Sequence, residues 1–318
     1  MGQIILVNKP DLVRRVGAQG RRLVEEHVFP IIGAEAVSKT RSKSDMVEVA
    51  TRVKDHLQVL GVENARVIEH EGCFPAVFGE IKADVPNAPT ILVGGHYDGQ
   101  PSSKENWIIV QPHEPGFVTQ GGETRFFGRG TSDDWGQVLT HAIAVKMIRE
   151  LGLPLLVNIK FLIEGGEEVG SENMDKFITT HREMLKCDLV ILTDSAPGRM
   201  NVPVVSTSGR GLVGANVRLK IGNNPPHSGE NLAPSALEIL QHILSLKDLG
   251  TQEIMIPDFY SMVRTPGDAE IAKLRAMPFD TDLFIRSKGL TVPIVTPKGF
   301  IIPGNNVDKT KLSSSYIY

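Results

Sequence analysis

The chain has 318 residues, 41% hydrophobic and 22% charged, with a formal net charge of −3. That fits a soluble globular protein large enough for two domains, and a near-neutral chain with no long basic run argues against nucleic acid as a partner. The two cysteines, Cys73 and Cys187, lack CxxC spacing, which argues against a disulfide scaffold or a cysteine zinc site and fits a reducing, cytoplasmic setting.

At the start, Ile4–Val7 is too short an apolar run for a signal peptide, no stretch approaches membrane-spanning length, and no membrane association is expected. Residues 10–29 read as a helix, with Leu12, Val13, Val16, Leu23 and Val24 on its apolar face and Pro30 as its stop. A second helix runs from Asp45 to Leu60, with Ser44 as N-cap, Val49, Val53, Leu57 and Leu60 as a stripe, and Gly61 just past its end. Short apolar runs over 89–95, 155–163 and 187–193 read as buried strands separated by helical segments, the pattern of parallel strands with crossover helices. The first runs into His96-Tyr97-Asp98, the second into Glu164-Gly165-Gly166-Glu167-Glu168, and the third into Asp194. Parallel strands present their C-terminal ends on one rim, where open α/β folds place ligands.

Between the first two runs lies Gly128-Arg129-Gly130-Thr131-Ser132-Asp133-Asp134-Trp135-Gly136, followed by a helical pattern carrying Val138, Ala142, Val145 and Ile148. One aspartate before a helix is explained as a cap; two between glycines, beside strand ends that carry His, Glu and Asp, suggest a metal bridge. Carboxylates and imidazoles suit a Zn²⁺ or Mn²⁺ pair. A bridging carboxylate holds such ions roughly 3.5–4 Å apart, and a second carboxylate off the metals serves as general base. Gly128-Arg129-Gly130 lacks the third glycine of a dinucleotide fingerprint, and neither a Walker A pattern nor a GxSxG elbow is present.

From about residue 206 the texture changes. Gly209-Arg210-Gly211 reads as a hinge, residues 213–221 alternate as a half-buried strand, His227 lies in a Pro-rich loop, and a helix is expected over Pro234–Leu249.

The ordered set His96-x-Asp98, Gly128-Arg129-Gly130-x-x-Asp133-Asp134, Glu164-Gly165-x-Glu167-Glu168-x-Gly170-Ser171 and Thr193-Asp194 resembles the M20 metallopeptidases, above all their carnosinase-like and bacterial dipeptidase branch. Gln100-Pro101, Trp107 and Pro112-His113-Glu114-Pro115 add to the likeness. The resemblance implies a zinc-peptidase-like α/β catalytic domain with a mostly parallel central sheet over residues 1–205, and a partial α+β lid and dimerisation domain over 206–318. It implies two divalent ions, Zn or Mn with Co as a further option. His96 and Asp194 would bind one ion, Glu168 the other, and Asp133 would bridge them. Asp98 would orient His96. Glu167 would be the base acting on a metal-bridging water, and His227 would reach the substrate across a homodimer. The implied substrate is a dipeptide or similar small amide with a free carboxylate.

Trp135 stands where the family usually has Lys. The family also carries a last metal-ligand histidine and a substrate-binding arginine late in the chain; no histidine follows His242, so that ligand is absent from this sequence, and the arginine is expected past Tyr318. Alternatives are an N-acyl-amino-acid deacylase or carbamoylase with the same centre, and a truncated, metal-deficient, non-catalytic paralogue.

Overall fold

A computed structural model describes residues 9–195, 204–206, 214, 216, 236–248, 253–264 and 267–276. The chain divides into two compact units, Met1–Val204 and Val205–Tyr318.

In the first unit, α1 (Lys9–Leu23) continues through a π-helical turn (Val24–Val28) into α2 (Phe29–Ile32). Pro30 is therefore not the expected stop. It falls in the first turn of α2, directly after the π-helical turn, and the helix yields only at Gly33. In α3 (Lys43–Val59) the N-cap is Ser42 rather than Ser44: the Ser42 hydroxyl accepts from the Asp45 amide while Asp45 accepts from the Ser42 amide. The stripe of Val49, Val53, Leu57 and Leu60 is buried, and Gly61 takes φ +89°, as a residue ending a helix in the left-handed region must.

There follow β1 (Glu63–Ile68), β2 (Ala76–Ile81), β3 (Thr90–His96), a hairpin of β4 (Gly116–Gln120) and β5 (Glu123–Phe127), α4 (Trp135–Glu150), β6 (Asn158–Glu164), α5 (Met174–Thr180), α6 (Arg182–Leu185) and β7 (Leu189–Leu192). The central sheet has the order β1-β2-β6-β3-β7. The three runs read from sequence form its parallel part, with β3 flanked by β6 and β7. β2 pairs antiparallel with both β1 and β6, so the sheet is mixed, with β2 alone running against the other strands. The antiparallel part escapes a sequence reading because β1 carries mostly exposed polar residues and β2 is buried on both faces without a clean period.

Alternate strand residues point to opposite faces. Val77, Val93, Phe161 and Ile163 pack on one face with Val49, Val53 and Leu57 of α3 and Val138, Leu139 and Ala142 of α4. Ala76, Phe78 and Leu92 pack on the other with Phe177 of α5 and Leu185 of α6. Phe161 is wholly buried at the middle of the first cluster. Phe161→Ala is expected to cost about 3–5 kcal/mol through lost transfer energy and the cavity left behind, read as a lower urea midpoint at an unchanged slope.

In the second unit, α7 (Ala236–Ser245) matches the core of the helix expected over 234–249, and α8 (Asp268–Ala276) follows it. The expected hinge, the alternating strand apart from Gly214 and Asn216, and His227 lie outside the described residues. Among the described residues no helix is long and apolar enough to cross a membrane.

Candidate metal centre

The parallel register sets His96 of β3 opposite Glu164 of β6, and β7 ends beside β3 just before Thr193 and Asp194. Three strand ends thus open on one rim, and the loop from Gly128 into α4 meets it from the side. The fit is close at Gly95. A Cβ there would stand 2.3 Å from the Asp134 carboxylate, 2.3 Å from the Thr193 hydroxyl and 2.5 Å from Val138, so only glycine lets these groups meet.

His96 is 1% exposed. Its Nδ1 lies 3.0 Å from the backbone oxygen of Asp98. A carbonyl can only accept, so Nδ1 carries a proton, and Nε2 is the nitrogen that faces outward. Facing Nε2 are Asp133 Oδ1 at 3.0 Å, Glu167 Oε2 at 3.8 Å and Asp194 Oδ2 at 3.8 Å. The ligand atoms of His96, Asp133 and Asp194 all lie within 4.8 Å of one another. These carboxylates are 43–55% exposed against 1% for the imidazole, so the centre is a mouth of acids over a buried nitrogen. Burial alone lowers the His96 pKa. The hydrogen bond and charge of Asp98, followed by the charges of Asp134 and Glu167, outweigh it and push the pKa up to about 10. That pKa puts a proton on Nε2 among the carboxylates when no cation is there; a divalent ion would take the proton's place, and an imidazole with oxygen donors is a donor set that suits Zn²⁺ or Mn²⁺.

Asp98, 1% exposed, holds this arrangement from behind. Its Oδ1 lies 3.3 Å from His96 Nδ1 and accepts from the Glu167 amide at 3.2 Å. Its Oδ2 accepts from the Glu168 amide at 3.1 Å and from the Ser38 hydroxyl at 2.5 Å. One buried carboxylate therefore fixes both the imidazole and the turn that bears the glutamates.

The adjacent aspartates, joined by a cis peptide bond, have separate surroundings. Asp133 is turned toward the mouth. Asp134 is fully buried and makes no capping bond to α4; its Oδ2 instead accepts from the His96 amide at 3.1 Å and the Thr193 hydroxyl at 2.6 Å, tying β3 to the end of β7. Burial raises its pKa, the bonds from Thr193 and His96 oppose that, and the net is a rise to about 6.

Glu167 and Glu168 begin a 3-10 turn after β6. Burial raises the Glu167 pKa, His96 opposes it, and the charges of Glu168, Asp194 and Asp98 add to it. The Glu168 carboxylate is outside the His96 cluster and accepts from Gln100 Nε2 at 2.7 Å. Behind the turn, Glu164 accepts from the Ser171 hydroxyl at 3.0 Å. Its pKa rises to about 7, chiefly through burial, with Ser171 opposing and Asp98 and Glu167 adding.

Of the residues singled out in the sequence, the fold brings His96, Asp98, Asp133, Glu167 and Asp194 together, leaves Glu168 beside them in the grip of Gln100, and does not describe His227. Sequence reasoning missed Ser38, whose hydroxyl meets Asp98 across a separation of 60 positions without any local pattern. It also missed the task of Asp134, for which Gly95 and Thr193 were the available signals.

The sequence pattern of Peptidase family M20/M25/M40 matches residues 92–286. The cysteinylglycine-S-conjugate dipeptidase of Corynebacterium striatum is 30% identical over 64% of this chain and 42% of its own length. The β-Ala-His dipeptidase of Homo sapiens is 27% identical over 67% of this chain and 42% of its own. The chain thus spans less than half the length of these curated relatives. The solved structure of the di-peptidase Dug1p from Saccharomyces cerevisiae superposes with a TM-score of 0.70 at 20% identity, covering 98% of this chain and 65% of that one, and shares the mixed α/β fold. Through the match over residues 92–286, this chain belongs to Peptidase family M20/M25/M40.

Proposed function

We propose that the first unit is the catalytic domain of a metal-dependent hydrolase that cleaves the amide bond of dipeptides, or of similar small substrates with a free carboxylate. The observation that carries this reading is the outward Nε2 of buried His96, faced by Asp133, Glu167 and Asp194. His96 and Asp194 would hold one divalent ion, Glu168 a second, and Asp133 both; Zn²⁺ and Mn²⁺ suit the donors, with Co²⁺ as a further option. When bound, such ions supply Lewis acidity toward an amide carbonyl and toward water.

The residues of the chain do the rest. Asp98 holds His96 in the tautomer that leaves Nε2 free. Glu167, anchored through its amide and free at its carboxylate, takes a proton from the attacking water and passes it to the leaving amine. The second unit, acting as lid and dimerisation domain in a cytoplasmic homodimer, would bring His227 to the substrate. The dipeptidase names of the two relatives support a dipeptide over an N-acyl amino acid.

Purified full-length chain is expected to bind Zn²⁺ or Mn²⁺, to hydrolyse Cys-Gly or β-Ala-His type dipeptides in preference to N-acetyl amino acids, and to lose that activity to a chelator. A metal-free chain, inert toward every dipeptide after Zn²⁺ and Mn²⁺ are added, would sink the reading and favour a non-catalytic binding module. Preference for N-acetyl amino acids would move it to a deacylase.

A further inference from the structure

We propose that Ser38 is a positioning residue of this centre, acting through Asp98. The proposal rests on the metal-centre reading above, but its observations are independent of it. Ser38 lies in the segment between α2 and α3, is 4% exposed, and donates its hydroxyl to Asp98 Oδ2 at 2.5 Å. The same segment accepts a second bond, from the Gly99 amide to the Ala36 carbonyl at 2.8 Å. The strand exit that carries Asp98 is thus gripped at two neighbouring points by residues from the N-terminal helical region. The family match begins at residue 92, so it assigns Ser38 nothing.

The division of donors over Asp98 gives the contact its meaning. Oδ1 faces His96 Nδ1 and the Glu167 amide, while Oδ2 takes the Glu168 amide and Ser38. Among the described residues, Ser38 is the only side-chain donor on the oxygen turned away from His96. With it, both oxygens carry two partners and the carboxylate plane is fixed. Without it, Oδ2 keeps one amide in a buried place, and the plane is free to rotate toward a better balance. Rotation alters two things at once: the contact of Oδ1 with His96 Nδ1, which helps to aim Nε2, and the seat of the Glu167–Glu168 turn. A serine hydroxyl swings to meet whichever lone pair is offered, and the Ala36–Gly99 bond keeps its backbone in reach.

The test uses the full-length chain with two readouts, Zn²⁺ or Mn²⁺ affinity by titration calorimetry and hydrogen exchange of the Glu167 and Glu168 amides. Ser38→Ala is expected to weaken metal binding on the order of ten- to a hundredfold and to speed exchange of both amides. Ser38→Thr, which keeps the hydroxyl, should restore both. Val37→Ala, which trims the same segment without touching Asp98, should change neither. Wild-type affinity and exchange in Ser38→Ala would overturn the proposal, as would equal losses in Val37→Ala. Should the alanine variant not fold, Ser38→Cys keeps the volume with a weaker donor and must show the same direction in both readouts. If wild-type chain binds no divalent ion, the metal reading fails alone, and amide exchange still decides whether Ser38 fixes the turn.

Discussion

Glu167→Gln is expected to lower kcat on the order of 10²–10⁴-fold, the range for losing a positioned general base, while metal affinity and thermal midpoint stay near wild type. The expectation comes from how Glu167 is held. Its amide is pinned to Asp98 Oδ1 at 3.2 Å, so the backbone position survives any change of side chain. Its carboxylate is 43% exposed and stands 3.8 Å from His96 Nε2, close to the centre and open to water. Burial and neighbouring carboxylates raise its pKa, which makes it a stronger base than a free glutamate. Glutamine keeps the volume and the polar contacts but cannot accept a proton at neutral pH. If Glu167 were instead an essential metal ligand, glutamine would weaken metal binding as strongly as turnover. Calorimetry beside steady-state kinetics separates the two, and unimpaired dipeptide turnover in the variant would sink the proposed mechanism.

Much of the centre was legible because parallel strands impose a simple rule. Each apolar run ends at the same rim, so the residue after each run can be placed before any coordinates exist. His96, Glu167 and Asp194 came from that rule, and Asp133 from the excess of carboxylate over what a cap requires. The rest needed three dimensions. β2 carries Glu80 in an otherwise buried run and β1 is largely polar, so neither announces itself as a strand, though together they make the sheet mixed. Pro30 was misjudged because position within a helix, not proline itself, decides whether the helix stops. Asp134 looked like a cap because it precedes α4; its burial and its bonds to His96 and Thr193 depend on β3 and β7 being neighbours, which local sequence does not encode. Ser38 is the extreme case, a residue with ordinary loop surroundings whose role depends on a contact with Asp98.

The dependence of the centre on close backbone approach leads to the second large effect, at Gly95. Gly95→Ala is expected to destabilise the chain on the order of 3 kcal/mol, at the upper end of overpacking costs, and to abolish metal binding. The added methyl would lie 2.3 Å from Asp134 Oδ2 and from Thr193 Oγ1 and 2.5 Å from a Val138 methyl, and none of these can yield cheaply. Thr193 is bonded both to Asp134 and to the Gly94 carbonyl, Asp134 is fully buried, and Val138 is locked in the core of α4. Relief requires Asp134 to leave the His96 amide or β7 to shift from β3, and either motion moves His96 or Asp194 within the cluster. Breaking the Asp134 bonds also leaves a buried carboxylate short of donors, one of whose oxygens already lacks a partner among the described residues. Gly20 in α1 supplies the contrast: an added Cβ meets nothing within 4 Å, so Gly20→Ala is expected to be neutral or stabilising by up to about 1 kcal/mol. Urea unfolding of both variants, with metal titration of whatever folds, tests the difference. A Gly95→Ala chain that unfolds at the wild-type midpoint and binds metal normally would mean that Asp134 and Thr193 do not hold the strand ends together.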